Sequence, residues 1–280
     1  MAFKRTEAIV IKTLDLKEAD KIITFFSRDY GKVSGIARGI RKIQTKYSGK
    51  LELFTRVNVI FFHKTKHLQS GENHPLLKIT QADVVEVFPK LHADFNRIIA
   101  ASYIAELLQR TLEEFDDSHR PVYVLVCNAL RLLATVDDIR AILPAFEIKL
   151  LAHLGYAPVL GSCTGCGKPK TTSGHHVTLS EQSYRTLPGF HFATGGILCP
   201  RCKRLKKGAV DINHQAIEIL QHLLNTDISL LNNFSLSPLM YQEIRGILTS
   251  YIQYHLGISL KADSFVKKLR SANIRNREER

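Results

Sequence analysis

The apolar positions of this chain change their period twice before residue 160. From residue 5 to about residue 80 they follow the two-residue repeat of half-buried strands. RTEAIVIKTLDL puts Ala8 and Val10 on one side, with Ile11 and Leu14 continuing less regularly. KIITFFSRDYGKVSGIARG splits into two short β-rich runs at Asp29–Gly31, a hairpin signal. LELFTRVNVIFFHK repeats at Val57, Val59 and Phe61, and a further strand falls within LLKITQADVVEVF. Five or so short strands in about 80 residues predict a small closed barrel, with the OB-fold the first candidate. Sandwich and SH3-like barrels share the pattern.

From Pro89 the spacing lengthens to that of helices. LHADFNRIIAASYIAELLQRTLEEF aligns Phe95, Ile98, Ile99, Tyr103, Leu107 and Leu108. PVYVLVCNALRLLATV is apolar almost all round, the mark of a central bundle helix, with Pro121 suited to its first turn. Its Cys127 reads as a core thiol. In DDIRAILPAFEIKLLAHLGY, Asp137 or Asp138 is the expected cap, Pro144 a kink or break, and Gly155 the stop. Two more helices follow residue 210, the second with Leu239, Ile244, Ile247, Leu248, Tyr251 and Ile252 on one stripe.

Between them, residues 158–210 are short in apolar runs and carry two C-x-x-C pairs, Cys163–Cys166 and Cys199–Cys202. Each pair can turn two sulfurs toward one point. Two pairs make the four-thiolate set of a tetrahedral Zn2+ site, which has no open position and is therefore structural. Reduced thiols, a disulfide switch and an iron–sulfur cluster use the same residues. The intervening 32 residues must hold structure of their own. His175 and His176 lie between the pairs, where four cysteines already suffice, and His191 reads as a loop residue.

Charge narrows the partner. The chain carries a formal +13. Residues 1–80 hold 16 Lys/Arg against 7 Asp/Glu, a net +9, so less than a third of the length carries most of the excess. Within Tyr30–Lys50 stand Lys32, Arg38, Arg41, Lys42, Lys46 and Lys50 with no acidic residue among them. Cations so placed neutralise phosphates and release counterions, which points to a polyanion. Tyr30 and Tyr47 offer rings for base stacking. Lys64 and Lys66, past the Phe-rich run, join the candidate contacts. A second basic run, Arg201, Lys203, Arg204, Lys206 and Lys207, follows the second cysteine pair. No run of 18 apolar residues spans a membrane, and a charge-broken start lacks an export signal, so the cytoplasm is the expected location. Motifs for a P-loop, a zinc protease, a zinc deaminase and a nucleophile elbow are missing, which favours a binding protein over an enzyme.

Taken together, Tyr30-Gly-Lys-Val-Ser-Gly-Ile-Ala-Arg-Gly-Ile-Arg41, Ser48-Gly-Lys-Leu-Glu-Leu-Phe54 and Phe146-Glu-Ile-Lys-Leu-Leu-Ala-His-Leu-Gly-Tyr156 resemble the RecO family of bacterial recombination mediators. The order of parts matches over essentially the whole length. Leu260-Lys-Ala-Asp263 departs from the family's usual Leu-Lys-Ser-Arg. The resemblance implies an α+β multidomain chain: an OB-fold DNA-binding domain at 1–80, an all-α helical domain at 81–160 and 209–280, and an inserted four-cysteine zinc module at 161–208. It implies binding of single- and double-stranded DNA by Lys32, Arg38 and Arg41, and strand annealing. It also implies work with RecR, RecF and the acidic tail of single-strand binding protein to load RecA, at the nucleoid. The alternative is an RNA-binding zinc protein with an OB barrel, since basicity and cysteine pairs suit both.

Overall fold

The structure, a computed structural model, describes residues 2–42, 45–63, 77–170 and 187–260. They fall into two compact units, one ending at Thr135 and taking in Leu260, the other Val136–Ser259. In the first, β1 (Ala2–Leu16), β2 (Asp20–Ser27), β3 (Gly31–Ala37), β4 (Arg56–His63) and β5 (Leu77–Glu86) close a barrel in the order β1-β2-β3-β5-β4. β1 and β4 seal it by pairing from Ala2↔His63 to Ile9↔Arg56. This is the OB-like arrangement that the strand pattern predicts. The narrowest seam is the parallel β3–β5 pair, held at Gly35↔Leu77 and Ile36↔Lys78. A Cβ on Gly35 would stand 2.9 Å from Ile79 Cγ1 and 3.2 Å from the Leu77 carbonyl, so glycine permits the approach.

Ala8, Val10, Ile23, Phe25, Val57, Val59 and Phe61 fill the barrel. Leu14 does not join them; it is 55% exposed. A bulge between Val10 and Lys12 is the cause. One extra residue swaps the two faces, so Thr13 pairs with core Ile23 while Leu14 pairs with Ile22 on the outside. Between β3 and β4 the chain turns back into the barrel. Tyr47 and Leu51, each 2% exposed, enter the core, and the Tyr47 hydroxyl donates to the Ile79 carbonyl at 2.8 Å.

Helices α1 (Pro89–Ala93), α2 (Phe95–Thr111) and α3 (Arg120–Thr135) complete this unit. Asp94, extended, divides α1 from α2 and caps α2 by accepting from the Arg97 N–H. The buried side of α2 is Ala100, Ala101, Tyr103, Ile104, Ala105, Leu107 and Leu108, while Phe95 is exposed. Of the stripe that helical spacing predicts, Tyr103, Leu107 and Leu108 are buried, while Phe95, at the first position of α2, is not. α3 is not buried all round: Pro121, Val124, Arg131 and Thr135 form an exposed stripe, and the other faces are buried. It packs with α2 and α1, and its Tyr123 ring lies 6.0 Å from Phe26 on the outer wall of β2. An alternating chain of charges joins it to the barrel. Arg56 reaches Glu7 at 2.6 Å and Glu86 at 2.5 Å, and Arg131 of α3 donates to Glu86 at 2.9 Å.

The second unit contains α4 (Ile142–His153), β6 (Gly189–His191), β7 (Gly196–Leu198), α5 (Pro200–Leu205), β8 (Val210–Asp211), α6 (His214–Asn225) and α7 (Pro238–Leu256). Pro144 neither kinks nor breaks α4. It sits in the first turn, where an N–H would have no helical partner. Gly155 ends the helix at φ +84. In α7 the expected stripe is buried from Ile244 to Ile252, but Leu239, next to the Ser237 cap, is 74% exposed. Inside, Glu147 of α4 is ion-paired with Arg245 of α7. No helix among the described residues is long and apolar enough to cross a membrane.

Both sets of shielded charges can be tested by substitution. Arg245→Leu should lower the stability of the second unit by about 3–5 kcal/mol, because it removes the cation paired with a buried carboxylate. The double variant Glu147→Leu/Arg245→Leu should recover most of that loss in urea unfolding. If the single variant unfolds like the parent, the pair is not structural. Around the barrel, burial works against ionised Glu7, but hydrogen bonds from Arg56 and Tyr123 outweigh it and leave its pKa lowered. Hydrogen bonding from Arg131, opposed by burial, holds Glu86 below the ordinary value too. Folded values below the unfolded ones mean stabilisation that is complete above the unperturbed Glu value of 4.5 and is lost as pH falls through the folded values. Arg131→Met should shallow that acid-side decline in a series of denaturation curves taken from pH 6 downward.

Candidate functional site

The connection from β3 to β4 carries most of the candidate phosphate contacts, and the buried Tyr47 decides how it lies. Arg38 and Lys42 are exposed and make no ion pair among the described residues. Arg41 is held at the β1–β2 turn, 3.4 Å from the Lys17 carbonyl and 3.5 Å from Asp15. Gly39 donates its N–H to Asp20 at 2.8 Å, which fixes the same corner. On the other flank Lys46 donates to the Thr80 carbonyl at 2.6 Å and Lys50 pairs with Asp83 at 3.3 Å. These five cations therefore belong to one connection, clamped at both ends to strands. Each exposed pair contributes little to stability, so a phosphate can compete for the same heads.

Lys32 is placed differently. Its ammonium donates to the Gln109 carbonyl near the end of α2 at 2.8 Å, and burial, partly offset by Glu114 and Glu113, lowers its pKa. It lies on β3 itself, turned to the end of α2, rather than on the connection. Tyr47, with its ring in the core, cannot serve as a stacking surface. Tyr30 is half-buried, edge-on to Phe61 at 5.7 Å, with the Lys4 ammonium 4.4 Å from its centroid. Gly31 beside it has φ +59, and a Cβ there would collide with the Asp116 carbonyl. Lys64, Lys66, His175, His176 and the basic C-terminal segment lie outside the described residues.

In the second unit the four cysteines converge. The Sγ atoms of Cys163, Cys166, Cys199 and Cys202 all lie within 4.8 Å of one another, with Cys166 and Cys199 at 3.9 Å. Tetrahedral metal–thiolate bonds of about 2.3 Å require sulfur–sulfur edges of about 3.8 Å. The residues thus fit a metal ion. The first knuckle is shaped by Gly167 at φ +73 and by its N–H to the Cys163 carbonyl at 2.8 Å. The second is the start of α5, where Cys199 precedes Pro200. They touch at Gly165, where a Cβ would be 3.0 Å from Cys202 Cβ and Sγ. Burial opposes the Cys163 thiolate, yet backbone N–H groups of Cys199, Gly165 and Cys166 bring its pKa down to about 6. Cys202 is pushed up to about 12 by hydrogen bonding with Cys199, by burial and by the other sulfurs. Four thiolates so close need a cation, and a metal supplies what protons otherwise must. Cys127 stands apart in α3 with its thiol raised by burial, as a core residue. In the basic run after Cys199, Lys203 is engaged by the Leu187 carbonyl and Asp211, while Arg204, Lys206 and Lys207 are exposed.

Comparison with known families decides between the possible homes for a basic barrel and a cysteine cluster. The model described as "Recombination protein O N terminal" matches residues 1–88, and "Recombination protein O C terminal" matches residues 92–264. The chain belongs to the RecO family. It is 33% identical over 275 residues to a protein of Symbiobacterium thermophilum named DNA repair protein RecO, covering 97% of this chain and 100% of that one. A protein of the same name from Caldanaerobacter subterraneus is 30% identical, covering 96% and 99%. One from Pelotomaculum thermopropionicum is 31% identical, covering 97% and 96%. Membership in the RecO family places this chain among DNA repair proteins.

Within this RecO chain the pattern of strands left out two surface cations, Arg5 and Lys78, and the ring of Phe3. β1 begins at Ala2, three residues before the first alternation that the sequence displays. Phe3, Arg5 and Glu7 continue the outward face, a signal visible only once the strand is extended to the N-terminus.

Gly165→Val should force the knuckles apart. Titration with Co2+, followed by the thiolate-to-cobalt absorption, should show affinity about tenfold or more below the parent. Equal affinity would mean that the knuckles do not meet at this glycine.

Proposed function

We propose that this chain is a recombination mediator that binds single- and double-stranded DNA, promotes annealing of complementary strands and acts with RecR and single-strand binding protein to load RecA. RecF belongs to the same pathway, and the place of action is the cytoplasm, at the nucleoid. Family membership supports the setting. The observation that carries the DNA-binding part is the clamped connection bearing Arg38, Arg41, Lys42, Lys46 and Lys50.

The mechanism is electrostatic. The cations take backbone phosphates, each contact releasing counterions and none reading sequence. Two strands neutralised on one protein repel each other less, and pairing follows without a covalent step or a nucleotide cofactor. Lys32 supports the connection by tying β3 to α2; its part is to position rather than to grip. Contact with a DNA-coating protein raises local concentration through a second attachment. Zn2+ suits the cysteine set, with Cys163, Cys166, Cys199 and Cys202 as ligands and a structural role. When bound it supplies the cross-link between knuckles and leaves no position for substrate.

The test is the triple variant Arg38→Ala/Arg41→Ala/Lys42→Ala. Affinity for unrelated DNA sequences should fall by similar factors, and the slope of log K against log salt for single strands should shrink by about 2. Competition with RNA of the same sequence separates the DNA reading from an RNA one. An unchanged slope with unchanged annealing would remove the connection as the grip.

A further inference from the structure

We propose that the outer wall of β1, β4 and β5 is a base-stacking platform for single-stranded DNA, built on Phe3 and Phe62. The inference deepens the DNA-binding reading above and rests on it.

Phe3 of β1 and Phe62 of β4 are register partners. Their ring centroids are 5.3 Å apart with planes at 57°. Phe3 is 70% exposed, and no other aromatic ring of the described barrel is among the exposed large hydrophobics. Cations flank the pair. Arg5 follows Phe3 on the same face, and Lys78 of β5 is the partner of Phe62. Both are exposed, and neither makes an ion pair among the described residues. The nearby acid, Asp83, which feels the charge of Arg5, is already bonded by Lys50 and Gln81.

The platform adjoins the basic connection. Lys46 is anchored at Thr80 and Lys50 at Asp83, both on β5 beyond Lys78. A strand whose phosphates lie along these heads has rings within reach to one side. The wall of β2 and β3, where OB barrels commonly take oligonucleotides, offers no such ring. Its Phe26 lies beneath Tyr123, and Lys32 and Ser34 are bonded to Gln109 and Glu114. Stacking needs an unpaired base, so the platform distinguishes single strands from duplex, which the phosphate contacts alone do not. Cations without ion pairs among the described residues, beside one exposed and one half-buried aromatic ring, suit a polyanion with π-faces better than an apolar protein surface.

The chain contains no tryptophan. Phe3→Trp in the full chain therefore places a single indole on the platform, at a position open enough to take the larger ring. Oligothymidylate should quench its emission, and a duplex bound to equal occupancy should not. Phe3→Leu/Phe62→Leu should weaken single-strand affinity about fivefold or more, with duplex affinity unchanged, while Phe3→Tyr/Phe62→Tyr retains it. An indole unquenched by bound oligothymidylate, or equal losses for both DNA forms in the leucine variant, overturns the platform and leaves the phosphate grip standing. Failure of the unaltered chain to bind any DNA overturns both.

Discussion

Closure of the barrel by Tyr47 is the constraint from which the cation-bearing surface follows. A five-stranded barrel with a two-pair seam between β3 and β5 has an open mouth unless something fills it. The β3–β4 connection fills it with its own side chains, and the buried hydroxyl is satisfied by the Ile79 carbonyl. A connection rich in glycine and lysine would otherwise lose a large conformational entropy on ordering. Anchored by Tyr47 and Leu51, it holds its cations at fixed places on the barrel. The same tyrosine that sequence reading offered as a stacking ring is the peg that makes the neighbouring lysines useful.

Much of the fold could be read from the chain because it rests on local periodicity. Val57, Val59 and Phe61 alternate and all enter the core, and the hairpin at Asp29–Gly31 has the glycine that its left-handed conformation needs. What was not legible depends on partners distant in sequence. The bulge at Ile11 reverses the faces of β1, and no period announces it. Phe95 shares the helical spacing of Tyr103, Leu107 and Leu108, but as the first residue of α2 it lies outside the packed part of the helix. Pro144 reads as a break until the start of α4 is known.

The candidate sites divide along the same line. Four cysteines at C-x-x-C spacing identify each other, because metal-ligand chemistry demands that number and arrangement. A count of lysines and arginines says less. Of the cations between Tyr30 and Lys50, Lys32 is committed to a helix carbonyl, Arg41 and Lys50 share their charge with Asp15 and Asp83, and Arg38 and Lys42 face solvent unpaired among the described residues. The acidic partners come from β1 and β5, so a stretch without acids in sequence is not one without acids in space. RecO membership supplies the biological setting, and geometry sorts which charges stand ready.

The Glu147–Arg245 pair joins residues 98 positions apart. On the ribosome the acid emerges long before its base. At bacterial elongation of about 5–20 residues per second, α4 waits roughly 5–20 s for α7. During that wait its interior side carries a carboxylate that favours water over the core. The second unit is therefore timed to mature late, after its last helix has left the exit tunnel, and a nascent chain stalled before α7 presents chaperones with an unfinished interior.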